Sequence, residues 1–281
     1  MAPPEAPAPS APTSRPHGLA SLGAFAGDLW AIIWRSLALF LVGIPVVEWE
    51  GPPLERLGAA AIGLLLLALA ARNAEAAYSR AFGRRGVSLP WRIAPGRAVA
   101  LAGLGALEAA TTVGLAEALA LDGVGGVELE DPDPRDALAV LMFVLGPVVL
   151  APILEESIFR GLLLGGLLTW SRPLLAYGAS AARFAIVHGT SEYFWLYFGS
   201  AIVWAHVARH RGVVATATTH AAYNGLLILV TLLALVDPGW RIDEHITAAA
   251  RTPLGAGLSA AGWVLSLSLL WRLAQRPANA P

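Results

Sequence analysis

Two adjacent carboxylates in an apolar run, Glu155 and Glu156, are followed at Arg160 by a guanidinium, and two further apolar runs carry Phe184 with His188 and His220 with Asn224. Polar groups at this depth in hydrophobic sequence are costly, so they mark function by default. Neighbours on a helix point about 100° apart. Glu156 and Arg160 stand at i,i+4 with the acid on the N-terminal side, the favourable order for an ion pair on one face. Glu155 then faces elsewhere with no local cation, free to handle protons. Two carboxylates side by side in a low dielectric repel each other and resist ionising, which also favours a division of roles. The same spacing puts Phe184 with His188, and His220 with Asn224, on single faces. A neutral imidazole can help Glu155 orient an attacking water, while a second imidazole and an amide NH2 can donate to a developing oxyanion. These are the parts of a water-dependent amide hydrolase.

The elements that must position them are membrane-spanning helices. Hydrophobic residues make up 56% of the 281-residue chain and charged residues 14%. Mean hydropathy is +0.62, well outside the habit of soluble domains. The net charge of -1, with basic residues scattered, gives no reason to expect a nucleic-acid partner. With no Cys there is no disulfide, thiolate nucleophile or cysteine zinc site. Residues 1–18, rich in Pro, Ala and Ser, read as a disordered tail without the basic and apolar regions of a secretory signal. Residues 19–281 read as an all-α, polytopic membrane bundle of about eight transmembrane helices, with spans near 27–47, 57–72, 97–121, 137–168, 173–188, 194–209, 213–236 and 253–272. Pro147 and Pro152 are the places for a bend in the long fourth span.

Loop charges set the orientation. Residues 72–97 hold Arg72, Arg80, Arg84, Arg85, Arg92 and Arg97, whereas 122–136 holds six acidic residues and only Arg135. Alternation from there places both termini in the cytoplasm. Trp30, Trp49, Trp170, Trp195, Trp240 and Trp271 lie near span ends, as interfacial anchors would. His206 and His210 read as interfacial, and Glu108, Glu117 and Arg183 as helix-pairing or snorkelling residues. Tyr223, beside Asn224, is within reach of the site on sequence alone.

The ordered set EExxxR, FxxxH and HxxxN on separate apolar segments resembles the CPBP family, the CAAX prenyl endopeptidases and bacterial Abi proteins regarded as glutamic intramembrane proteases. The similar region runs from about 136 to 236. The resemblance implies that Glu155 is the base that activates water with His188 as its partner, that His220 and Asn224 stabilise the oxyanion, and that Glu156, Arg160 and Phe184 support the site. It implies an endopeptidase acting on a membrane-delivered protein or peptide within the lipid bilayer, and no cofactor. Eukaryotic relatives process prenylated C-termini, and bacterial relatives are linked to bacteriocin maturation, self-immunity or trimming of sorting signals. Heavy Ala, Gly, Arg and Pro usage points to a bacterial inner membrane and away from a prenylated substrate. Three alternatives remain beside this reading. One carboxylate and two His could hold zinc with an open position, although no HExxH is present. The scaffold could serve a non-catalytic immunity or partner-binding protein. A proton-coupled transporter would predict an inverted repeat, whereas all three motifs lie in the second half.

Overall fold

The computed structural model describes residue 58 and residues 93–119, 121, 137–188, 193–236 and 242–275. The N-terminal tail and, apart from residue 58, the first two expected spans lie outside the described residues. The described residues are helical, with no strand among them. Helix α1 runs Pro95–Ala118. Then comes a segmented rod: α2 (Ala137–Leu145), a π-helical segment π1 (Gly146–Leu150), α3 (Ala151–Glu156), a second π segment π2 (Ser157–Leu164) and α4 (Gly165–Trp170). Helices α5 (Pro173–Val187), α6 (Phe194–Arg211), α7 (Val213–Val236), α8 (Ile242–Ala250) and α9 (Pro253–Gln275) complete the set.

Prolines start several of these helices, where the missing N–H has no intrahelical partner to lose. Pro95 and Pro173 open α1 and α5, and the preceding Ala94 and Arg172 are extended at ψ 135 and 147, the conformation a following proline imposes. Gly212 separates α6 from α7 at φ 87, a left-handed geometry that side-chain-bearing residues rarely adopt. That single residue turns the chain sharply enough for α6 and α7 to pack on each other.

Helix α7 is the axis of the site. It packs on α1, on α6, and on π1 and α3 of the rod, while π2 packs on α5 and α5 on α6. The approach of α1 to α7 is close because Gly105 has no side chain: a Cβ there would lie 2.2 Å from the Thr219 carbonyl oxygen. Phe159, Phe184, Trp204, Val207 and Tyr223 join the buried cluster where rod, α5, α6 and α7 meet.

Four stretches are long and apolar enough to cross a membrane: Pro95–Ala118, Ala139–Leu168, Val213–Leu235 and Pro253–Gln275. Helix α5 is apolar but shorter. Large hydrophobics face outward along these helices, among them Val99, Leu174, Leu254 and Val264, as a lipid-solvated exterior requires. The chain is therefore an integral membrane protein. Four of the expected eight spans meet the length and hydropathy of a crossing helix, α5 and α6 occupy the short fifth and sixth, and the first two are not described. The bend expected at Pro147 and Pro152 takes the form of a register change, since π1 contains the first proline and ends just before the second. Between the seventh and eighth expected spans, residues Ile242–Ala250 form α8.

Candidate active site

The rod brings Glu155 and Glu156 to α7 at the junction of α3 and π2. Glu156 and Arg160 are both fully buried, with Arg160 Nη1 3.2 Å from Glu156 Oε1. Aromatic faces surround the rest of the guanidinium: its carbon lies 4.2 Å from the Phe184 ring centre and 5.6 Å from that of Trp204. Nε and Nη2 have no hydrogen-bond partner among the described residues, so ion pairing and cation–π attraction offset its desolvation.

Glu156 Oε1 also lies 3.1 Å from His220 Nδ1. With the carboxylate accepting, Nδ1 carries the proton, and Nε2 is the nitrogen turned to Glu155 Oε2, 3.9 Å away. His188 is fixed by the same device. Its Nδ1 lies 2.9 Å from the Phe184 carbonyl oxygen, which can only accept. Its Nε2 is then 3.4 Å from the same Glu155 oxygen. Both imidazoles present Nε2 to one carboxylate oxygen because both Nδ1–H groups are held from behind. That oxygen is buried and makes no hydrogen bond of good geometry among the described residues.

Phe184 does three jobs in this arrangement. Its carbonyl orients His188, its face carries Arg160, and its ring packs 4.2 Å from the His188 ring. Helix α5 is tied to the rod by Ser180, whose hydroxyl donates to the Phe159 carbonyl at 2.8 Å. Asn224 stands on α7 one turn beyond His220, and its amide Nδ2 donates to the Pro147 carbonyl at 2.7 Å. The seven residues singled out from sequence therefore occupy one neighbourhood, with Asn224 joined to π1 rather than to the Glu155 cluster directly.

Sequence reasoning passed over Trp204 and Tyr197. Trp204 packs 4.7 Å from the His220 ring and donates Nε1–H to Glu108 Oε2 at 3.0 Å. Tyr197 lies 5.1 Å from the His188 ring. No spacing rule connects Trp204 with Glu108, 96 positions apart, so only the packing of α1 on α6 and α7 reveals the pair. Glu108 is thus a helix-pairing residue, and Glu117 likewise contacts Arg251 at 3.4 Å. Arg183 is exposed and Tyr223 buried, its ring 5.9 Å from Trp204. His206 lies near the C-terminal end of α6, buried and stacked 3.5 Å from Trp271. The contact of α6 with α9 covers it, and Trp271 packs inward on it. Among the described residues no group of three or more Asp, Glu or His side chains is arranged to hold a metal ion.

Residues 137–226 match the family model for Rce1-like proteins, described as type II CAAX prenyl endopeptidase Rce1-like. The matched segment begins with α2 and ends two residues past Asn224, so it contains all three motifs, and this core is similar to the type II CAAX protease family. A protease family brings hydrolytic chemistry and a protein substrate with it. No curated protein and no solved structure is matched by the chain.

Proposed function

We propose that the protein is a glutamic intramembrane endopeptidase in which Glu155 activates water. The observation that carries this reading is the buried Glu155 oxygen flanked by two Nε2 atoms at 3.4 and 3.9 Å. The 3.4 Å contact is at the long limit of a hydrogen bond and the 3.9 Å separation exceeds it, so a water is the natural third partner of these groups. A water there meets a proton acceptor and two oriented nitrogens at once.

Glu155 takes a proton from that water as its oxygen attacks the scissile carbonyl carbon. His188, locked by Phe184, shares the hydrogen bond that aligns the water. Charge developing on the carbonyl oxygen is met by the second N–H of Asn224, with His220 held beside it by Glu156. The proton held by Glu155 then passes to the departing amine, so no covalent enzyme intermediate forms. Glu156, Arg160 and Phe184 keep this geometry without touching the reacting atoms. Zinc is not part of this reading, and activity that survives strong chelation is its expected signature.

The substrate is a membrane-delivered protein segment in a bacterial inner membrane, with both termini of the enzyme cytoplasmic. The family description names a prenyl endopeptidase; the composition of this chain favours a substrate without a prenyl group. The test compares membrane-protein termini in host cells carrying wild type or Glu155→Gln at matched abundance. Termini unique to the wild type are expected. Identical termini, with a phenotype that survives the substitution, would replace this reading with a non-catalytic partner-binding protein.

A further inference from the structure

The Asn224–Pro147 contact has its origin in a third residue, Pro152. In π1 the Ala151 N–H bonds back five residues to the Gly146 carbonyl. The next bond of that register would run from residue 152 to the Pro147 carbonyl, but Pro152 has no N–H. Ala151, the donor in ordinary α register, is already committed to Gly146. The Pro147 carbonyl is thus left without an N–H from either position inside the rod, in a place with little water to serve it. The donor that reaches it is the Asn224 amide at 2.7 Å.

We infer that Pro152 is a positioning residue: by withholding a backbone donor it creates the acceptor that holds the Asn224 amide, fixing the side chain's rotation and leaving its second N–H for the oxyanion. The clamp also couples the two motifs, because Pro152 lies three residues before Glu155 on α3 and Asn224 lies one turn after His220 on α7. Its importance for cleavage rests on the hydrolase reading above; the clamp itself does not. π-Helical segments are expensive and gather at functional sites, and here the irregularity has a definite product, a free carbonyl aimed across a helix interface.

Pro152→Ala restores the missing N–H. Whether the rod keeps its π register or relaxes to α, a backbone donor reaches the Pro147 carbonyl and competes with Asn224. Four proteins decide the matter: wild type, Asn224→Ala, Pro152→Ala and the double variant, purified into nanodiscs of phosphatidylethanolamine and phosphatidylglycerol. In the wild-type background Asn224→Ala is expected to lower Tm by about 2–4 °C, the loss of one hydrogen bond in a chain of this size. In the Pro152→Ala background the same change is expected to cost less than half of that. Equal costs in both backgrounds would overturn the inference. The second measurement is the yield of wild-type-specific termini in cells. Pro152→Ala, alanine being the better helix former, is expected to keep or raise Tm while lowering that yield about 10-fold. A Pro152→Ala protein that cleaves as the wild type does would remove the positioning role. Coupled Tm values with no wild-type-specific termini would instead keep the clamp and remove the hydrolase reading.

Discussion

His206 on α6 and His188 at the C-terminal cap of α5 are both imidazoles packed against aromatic rings, and they share little else. His206 stacks on Trp271 at 3.5 Å, with Tyr177 at 5.9 Å and His210 at 4.4 Å, beside the basic end of α6. His188 and His220 each have Nδ1 set by an oxygen acceptor, the Phe184 carbonyl and Glu156, and each turns Nε2 to Glu155. His206 with His210 even repeats the i,i+4 spacing of His220 with Asn224. Neither residue type nor spacing separates the two regions. What separates them is the carboxylate that the Nε2 atoms of both His188 and His220 face.

The substitutions that test this contrast differ widely in expected size. Glu155→Gln removes the proton acceptor shared by both rings and should abolish new termini without changing Tm; His188→Ala should come close to it. Residual cleavage by Glu155→Gln near the wild-type level would erase the contrast. Glu156→Ala should cost about 3–5 kcal/mol of stability, because it strands the fully buried Arg160. Folded yield after purification reads this directly, and a full yield with no activity, together with an active Glu155→Gln, would mean that Glu156 and not Glu155 is the base. Asn224→Ala should slow cleavage on the order of 100-fold, the loss of one oxyanion donor. A change of only a few-fold in single-turnover rate would reduce Asn224 to a helix tie. The smallest effect belongs to the other region: His206→Phe keeps a flat ring on Trp271 and should leave cleavage unchanged and stability within about 1 kcal/mol. A large loss of cleavage there would show that the aromatic cluster at the end of α6 communicates with the site.

The cross-helix partners explain how far the sequence could be read. Glu156 with Arg160 follows from i,i+4 spacing on a helix, and the rod preserves that contact even though π2 begins between them. Phe184 with His188 was legible for the same reason. The bonds from His220 to Glu156, from Trp204 to Glu108 and from Asn224 to Pro147 span 64, 96 and 77 positions. Each depends on which faces of two helices meet, and a single sequence carries no record of that. The burial of His206 was hidden for the same reason, since proximity to Arg209 and Arg211 describes the local chain and not the α9 surface packed over it.

The sequence alone determined that the chain is helical and membrane-embedded, because a continuous apolar run leaves the backbone no partner in lipid except itself. It also determined which polar groups stand at bilayer depth, since their cost in that setting makes them conspicuous. Only the tertiary structure decided which nitrogen of each imidazole faces Glu155, which aromatic rings cover Arg160, and that the carbonyl freed by Pro152 belongs to Asn224. Those are choices of orientation between helices, made by close packing at places such as Gly105 against Thr219, where a single methyl group would forbid the contact.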